Sequence, residues 1–206
     1  APKTKIKIEA SEMAVFEMRE NGLIEVLDPS SDLIAERPEG VPGSVVVPII
    51  EGTRPLLVEV QSLVSQTGNS FEPRRTATGI ELNRLVLISA VLSKRSLVDL
   101  KGKDIIVNVV GGIRVSEPAA DLGIALAIAS SALDKEFPSN MAAVGELGLT
   151  GEIRKSTHIE RRITELARLG FKKVLVPASF VQSDPLAGMN IELVGVNNIQ
   201  DAIKKI

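Results

Sequence analysis

The chain has 206 residues, with no Cys, Trp or Tyr, one His and five Phe. The missing Cys excludes thiolate zinc sites, iron–sulfur clusters, disulfides and a thiol nucleophile. The single His leaves at most one imidazole base and no His metal cage, and an aromatic content of 2% argues against stacking platforms for single-stranded nucleic acid. Carboxylates, lysines, hydroxyls, arginines and backbone amides remain as working chemistry. The length fits one domain, or one domain plus a fragment, with a core of Val, Ile, Leu and Ala. No apolar run approaches the roughly 18 residues that span a bilayer and no leader opens the chain. The expectation is a cytoplasmic protein with no membrane partner.

The net charge of −2 is uneven: residues 1–40 carry five basic and nine acidic side chains, and the rest carry 19 and 17. This shift, with the Pro/Gly punctuation of residues 36–43, predicts a seam near Gly40. In chain order, residues 5–18 and 23–27 read as strands joined at Asn21-Gly22, and Asp28-Pro-Ser-Ser-Asp32 breaks the pattern. Residues 44–50 and 55–64 form a second hairpin, and 66–76 read as polar loop. A helix is predicted from Thr78 to about Lys94 by the 3–4 spacing of Leu82, Leu85, Val86, Ser89 and Leu92. A strand over 104–110 stops at Gly111-Gly112. Ser116-Glu117-Pro118 starts a helix to Leu133 that is apolar nearly all round, hence buried. Residues 141–147 and 151–154 are strand and turn, and Thr157 caps an amphipathic helix to Leu169 with Gly170 as its stop. Strands at 171–177 and 190–196 and a short terminal helix complete a mixed α+β chain with a helical layer on one sheet face.

No phosphate-cradling Gly-Lys loop is present: Gly102-Lys103 lacks the upstream glycine and the following hydroxyl. The glycines of Gly145–Gly151 read as turn geometry, and His158 as a helix-start side chain without a triad partner. Glu117-Pro-Ala-Ala-Asp-Leu-Gly123 resembles the serine-bearing segment of the Lon protease domain, and residues 145–177 resemble the stretch carrying that family's catalytic lysine. Carried over by position, the serine falls on Ala119 and the lysine on Glu160, with Arg161 and Arg162 beside it. Neither half of a Ser–Lys dyad is kept.

Residues 73–79, 82–85, 107–114, 117–122 and 145–154 together resemble the C-terminal Lon protease-like domain of the RadA (Sms) family of bacterial DNA-repair ATPases. The resemblance runs from about Ala14 to the end. It implies a remnant of the family's RecA-like ATPase core over residues 1–40 and a Lon protease-like domain over 41–206. The family carries Lys-Asn-Arg-Phe-Gly upstream, where this chain has Thr4-Lys-Ile-Lys-Ile8. It also implies a hexameric, ATP-driven DNA translocase, with DNA, further copies of itself and a strand-exchange recombinase as partners. ATP with Mg and the zinc finger fall in parts of the family outside this stretch, so no cofactor or metal is expected here. The expected role is a non-enzymatic DNA-binding and ring-scaffolding domain. Its candidate phosphate contacts are Arg75, Arg84, Arg114 and Arg154, with Arg74 as a fifth, while Lys94-Arg95, Arg161-Arg162 and Lys172-Lys173 read as solvated ends. Two other readings stand beside it: a Ser–Lys peptidase using Ser116 or Ser130 with Lys155, and a purely structural scaffold for subunit contacts.

Overall fold

The computed structural model describes residues 15–19, 22–68, 72–182, 186 and 188–206. Strand β1 (Val15–Arg19) pairs antiparallel with β2 (Gly22–Val26), Arg19 opposite Gly22. Thr4–Ile8, the first part of the strand expected over 5–18, and Asn21 lie outside the described residues. The pattern break at Asp28 is itself a helix start. Asp28 accepts the Ser31 amide and Pro29 takes the first position of α1 (Pro29–Ile34), a side-chain cap followed by a preset φ.

The strands that follow are β3 (Ser44–Glu51), β4 (Arg54–Gln66), β5 (Arg75–Thr78), β6 (Lys103–Val109), β7 (Met141–Ala143), β8 (Glu146–Leu147), β9 (Ile153–Arg154), β10 (Lys173–Pro177) and β11 (Glu192–Val196). Seven of them form one sheet in the order β11-β10-β7-β3-β4-β6-β5, and β8 and β9 make a separate hairpin. Within the seven, β4 alone runs against the others. Its reversal comes from the predicted hairpin, which the structure closes with two residues rather than four: Glu51 faces Arg54, and Gly52 takes a left-handed φ of 58°. Polar β5 lies where loop was expected. It is extended because it pairs in parallel with Ile105–Asn108 of β6, and this moves the following helix, α2 (Leu82–Arg95), four residues later than predicted.

The central strands are apolar on both faces. Val45, Val47 and Ile49 of β3 and Leu56, Val58 and Val60 of β4 enter one core cluster, while Val46 and Leu57 enter another. A sheet apolar on both faces needs cover on both. The first face carries α2, α3 (Asp121–Leu133) and α6 (Ile199–Ile203); the second carries α4 (Ile159–Arg168) and α5 (Ala178–Val181). The expected single helical layer is therefore corrected to helices on both faces of a mixed, mostly parallel sheet. Helix α3 is buried through its first ten residues, as predicted. Its Gly123 lies so close to β3 that an added Cβ would stand 2.0 Å from Val47 Cγ1. The α4 start also differs: its first flanking residue is His158 at a left-handed φ of 54°, not a bonding Thr157.

The charge seam at Gly40 falls in the connection between α1 and β3, and α1 packs back across it onto the sheet. Ser30 Oγ donates to Glu165 Oε1 (2.7 Å) and accepts the Leu57 amide (3.2 Å), while Arg168 forks onto Asp28 at 2.8 Å.

Candidate nucleic-acid interface

The first turn of α2 places Arg84 beside the start of α3. The Arg84 guanidinium grips Asp121 in two parallel bonds of 2.6 Å, and the Leu147 amide adds a third donor at 3.3 Å. The Arg84 side chain keeps 31% of its exposure, and Asp121 keeps 1%. Burial pushes the Asp121 carboxyl up to about 6, against the pull of Arg84 and the Leu147 amide.

The β8–β9 hairpin brings Arg154 to the same place. Arg154, 63% exposed, donates to Glu152 at 2.5 Å. Thr150 Oγ donates to that carboxylate too, and together these bonds draw it down to about 2. Arg84, Leu87, Glu146, Leu149, Glu152 and Arg154 thus border one cleft of about 350 Å³.

The other predicted arginines lie apart. Arg75 starts β5 and borders a groove with Ser93 and Ser96 at the far end of α2 from Arg84. It donates to the Arg74 and Lys103 carbonyls at 3.0 and 2.8 Å, and burial lowers its pKa. The Arg74 amide donates to Asp104 at 2.7 Å, leaving its side chain exposed. Arg114 is exposed between the Gly111-Gly112 turn and Val115, whose amide is tied to the Gly79 carbonyl. The structure therefore joins Arg84 with Arg154 and Arg74 with Arg75, and keeps Arg114 by itself.

Of the dyad positions, Ala119 is buried in the apolar cluster that holds Ile159 and Ile163, and Glu160 is exposed in the first turn of α4. Ser130 Oγ accepts the Gly43 amide (2.8 Å) and donates to the Lys135 carbonyl, so its hydroxyl is committed to chain geometry. Ser116 and Lys155 are exposed.

One expectation about cations is reversed. Arg162, read as a solvated end, is completely buried. It makes two bonds to Glu117 (2.6 and 2.5 Å) and donates to the carbonyls of Pro48 (2.8 Å) and Thr157 (3.0 Å), while Glu117 also accepts the Ile50 amide (2.8 Å). The signal was in the spacing: 159, 162, 163 and 166 form one helical stripe, so Arg162 belongs with its isoleucines rather than with Arg161.

No cluster of three or more metal-ligating side chains occurs among the described residues, and none of their helices is long and apolar enough to cross a membrane.

The chain is similar to bacterial DNA repair proteins. It is 47% identical over 94% of its length to DNA repair protein RadA of Halalkalibacterium halodurans, of which it covers 42%. It is 46% identical over 95% of its length to the proteins of the same name from Streptococcus pneumoniae and Listeria monocytogenes, covering 46% and 42% of them. The chain thus spans under half the length of these relatives. Residues 83–179 match the family of subunit ChlI of Mg-chelatase. That match corrects the expectation that this stretch is no enzyme, because the matched family is a subunit of one. The loss of a Ser–Lys dyad excludes one reaction and says nothing of others.

Proposed function

We propose that this stretch is a DNA-contacting and subunit-contacting part of a RadA-like DNA repair protein, built on a Lon protease-like framework. Arg154 and Arg114 meet the phosphate backbone first, with Arg84 beside Arg154 and with Arg74 and Arg75 at the sheet edge. The carrying observation is the similarity to DNA repair protein RadA over nearly the whole chain, and the exposure of Arg154 at the cleft with Arg84 supports the choice of that arginine. Arginine contacts to phosphate need neither aromatics nor His, do not depend on base sequence, and weaken with salt. Arg84 and Arg75 rank lower because their guanidinium groups are partly buried as well as internally bonded, whereas Arg154, although paired with Glu152, keeps most of its exposure. With a net charge of −2, a single copy attracts DNA weakly; a ring of copies facing one channel would sum their local positive potential.

The test is fluorescence anisotropy of a labelled duplex from low to moderate salt, with mass by light scattering on the same samples. Replacing Arg154 and Arg114 together with Ala should weaken binding alike for all sequences and reduce the salt slope by about 2, roughly one per lost phosphate contact. An unchanged slope removes these two residues from the interface.

A further inference from the structure

The tip of the β8–β9 hairpin carries one apolar side chain with no role in the core. Leu149 is 67% exposed, while Leu147 and Ile153 on either side of the turn are buried. The turn that presents it is held from several directions. The Gly148 amide donates to the Glu152 carbonyl at 2.9 Å, and the Gly151 amide to the Gly148 carbonyl at 3.0 Å. The Glu152 carboxylate ties together Thr150 and Arg154. At the base, the Ile153 amide donates to the Asn197 carbonyl at 2.9 Å and the Ile199 amide to the Gly151 carbonyl at 2.8 Å. Charges of both signs border the tip, with Glu146 and Glu152 in the same cleft as the arginines and Glu152 paired to Arg154. Arg154 and exposed Lys155 belong to its own stem, Arg84 borders the shared cleft, and exposed Arg95 of α2 lies directly against Gly151.

We propose that Leu149 is a wedge that enters a base step of DNA held by the surrounding arginines. This rests on the DNA-contacting reading above and deepens it. A lone exposed leucine between Gly148 and Thr150 is too small an apolar surface to seat a protein partner, but it matches the single aliphatic side chains that part stacked bases while basic residues hold the backbone. Flexible presentation would defeat a wedge, and the bonded turn supplies stiffness.

The experiment uses the 206-residue chain, a duplex carrying 2-aminopurine, and anisotropy on the same samples. Binding should brighten the 2-aminopurine as it unstacks. Leu149→Ala, an exposed truncation that leaves the core untouched, should bind within about threefold of the parent with an unchanged salt slope but without brightening. Leu149→Met should keep the brightening. Binding without brightening, or equal brightening by Leu149→Ala, overturns the wedge and leaves the DNA reading standing. No binding at the lowest salt overturns both. A fall in particle mass caused by Leu149→Ala, with brightening preserved, assigns the side chain to a protein contact instead.

Discussion

Arg162 is the largest fully buried side chain among the described residues, and its charge is tolerated because every direction of its fork meets an acceptor. Removing one partner of such a pair strands the other in low dielectric. Arg162→Ala should therefore cost about 3 to 5 kcal/mol in urea unfolding, and Arg162→Lys should recover only part of it, since an ammonium cannot bond Glu117 in two parallel contacts. Asp121 gives a pH test. Its folded carboxyl sits near 6 against an ordinary 3.8, so the folded chain holds this proton more tightly than the unfolded chain. Its contribution to stability is complete below about pH 3.8 and is lost as pH rises through about 6. Carboxyl NMR should show a midpoint near pH 6, and Asp121→Asn should remove this downward slope from the pH dependence of unfolding. Arg84→Ala should move the midpoint higher still. At this scale the sequence showed which arginines exist but not which are engaged. Partners such as Glu117 for Arg162 and Asp121 for Arg84 lie 45 and 37 residues away, and only the helical stripe around Ile159 and Ile163 betrayed burial.

Among the elements, α3 was the most legible. Its run of Leu, Ile and Ala has no polar face, and the structure buries it against β3 and β4. What its sequence did not state is how close it comes. Gly123 lets the helix backbone approach Val47 to a distance that excludes even a methyl group. The usual gain in helix propensity from Gly→Ala should be overridden. Gly123→Ala should destabilise the chain by about 1 to 3 kcal/mol, the range for overpacking a filled core, and Val47→Ala in the same chain should restore part of the loss because the two sites are in contact. Thermal unfolding of both variants measures this. β5 was the least legible element. Arg75-Thr-Ala-Thr78 has no buried position, so no hydrophobic alternation marks it, and its strand character comes from the parallel ladder to β6. The strand read over 141–147 is in fact two, β7 in the main sheet and β8 in the β8–β9 hairpin, and the exposed Leu149 of that hairpin carries no pattern that separates a tip from a core residue.

Across the whole molecule, the change of charge near Gly40 was visible in the sequence, while the return of α1 onto the sheet was not. Asp28, Ser30, Glu165 and Arg168 form one network over 140 residues of sequence separation, and such distances leave no local trace. Arg168 and Asp28 keep 47% and 39% of their exposure, so solvent screens the pair and Arg168→Ala should change global stability by less than about 1 kcal/mol. It should instead raise amide exchange in residues 29–35 selectively, leaving exchange in α3 unchanged, because only the local opening of α1 becomes easier. Added salt should produce the same pattern in the parent chain.

The lone reversed strand has a kinetic meaning. β3 and β4 are joined by two residues, and their ladder runs through Glu51↔Arg54 to Ser44↔Gln61 at the centre of the sheet. Within the seven-stranded sheet, every other pairing requires the ends of a longer connection to be brought together first, at a loop-closure cost. A hairpin forms on the order of microseconds. The middle of the sheet is thus the one part that can assemble from its own neighbourhood, and the edges, with Arg75 of β5 among them, are added to a template already in place.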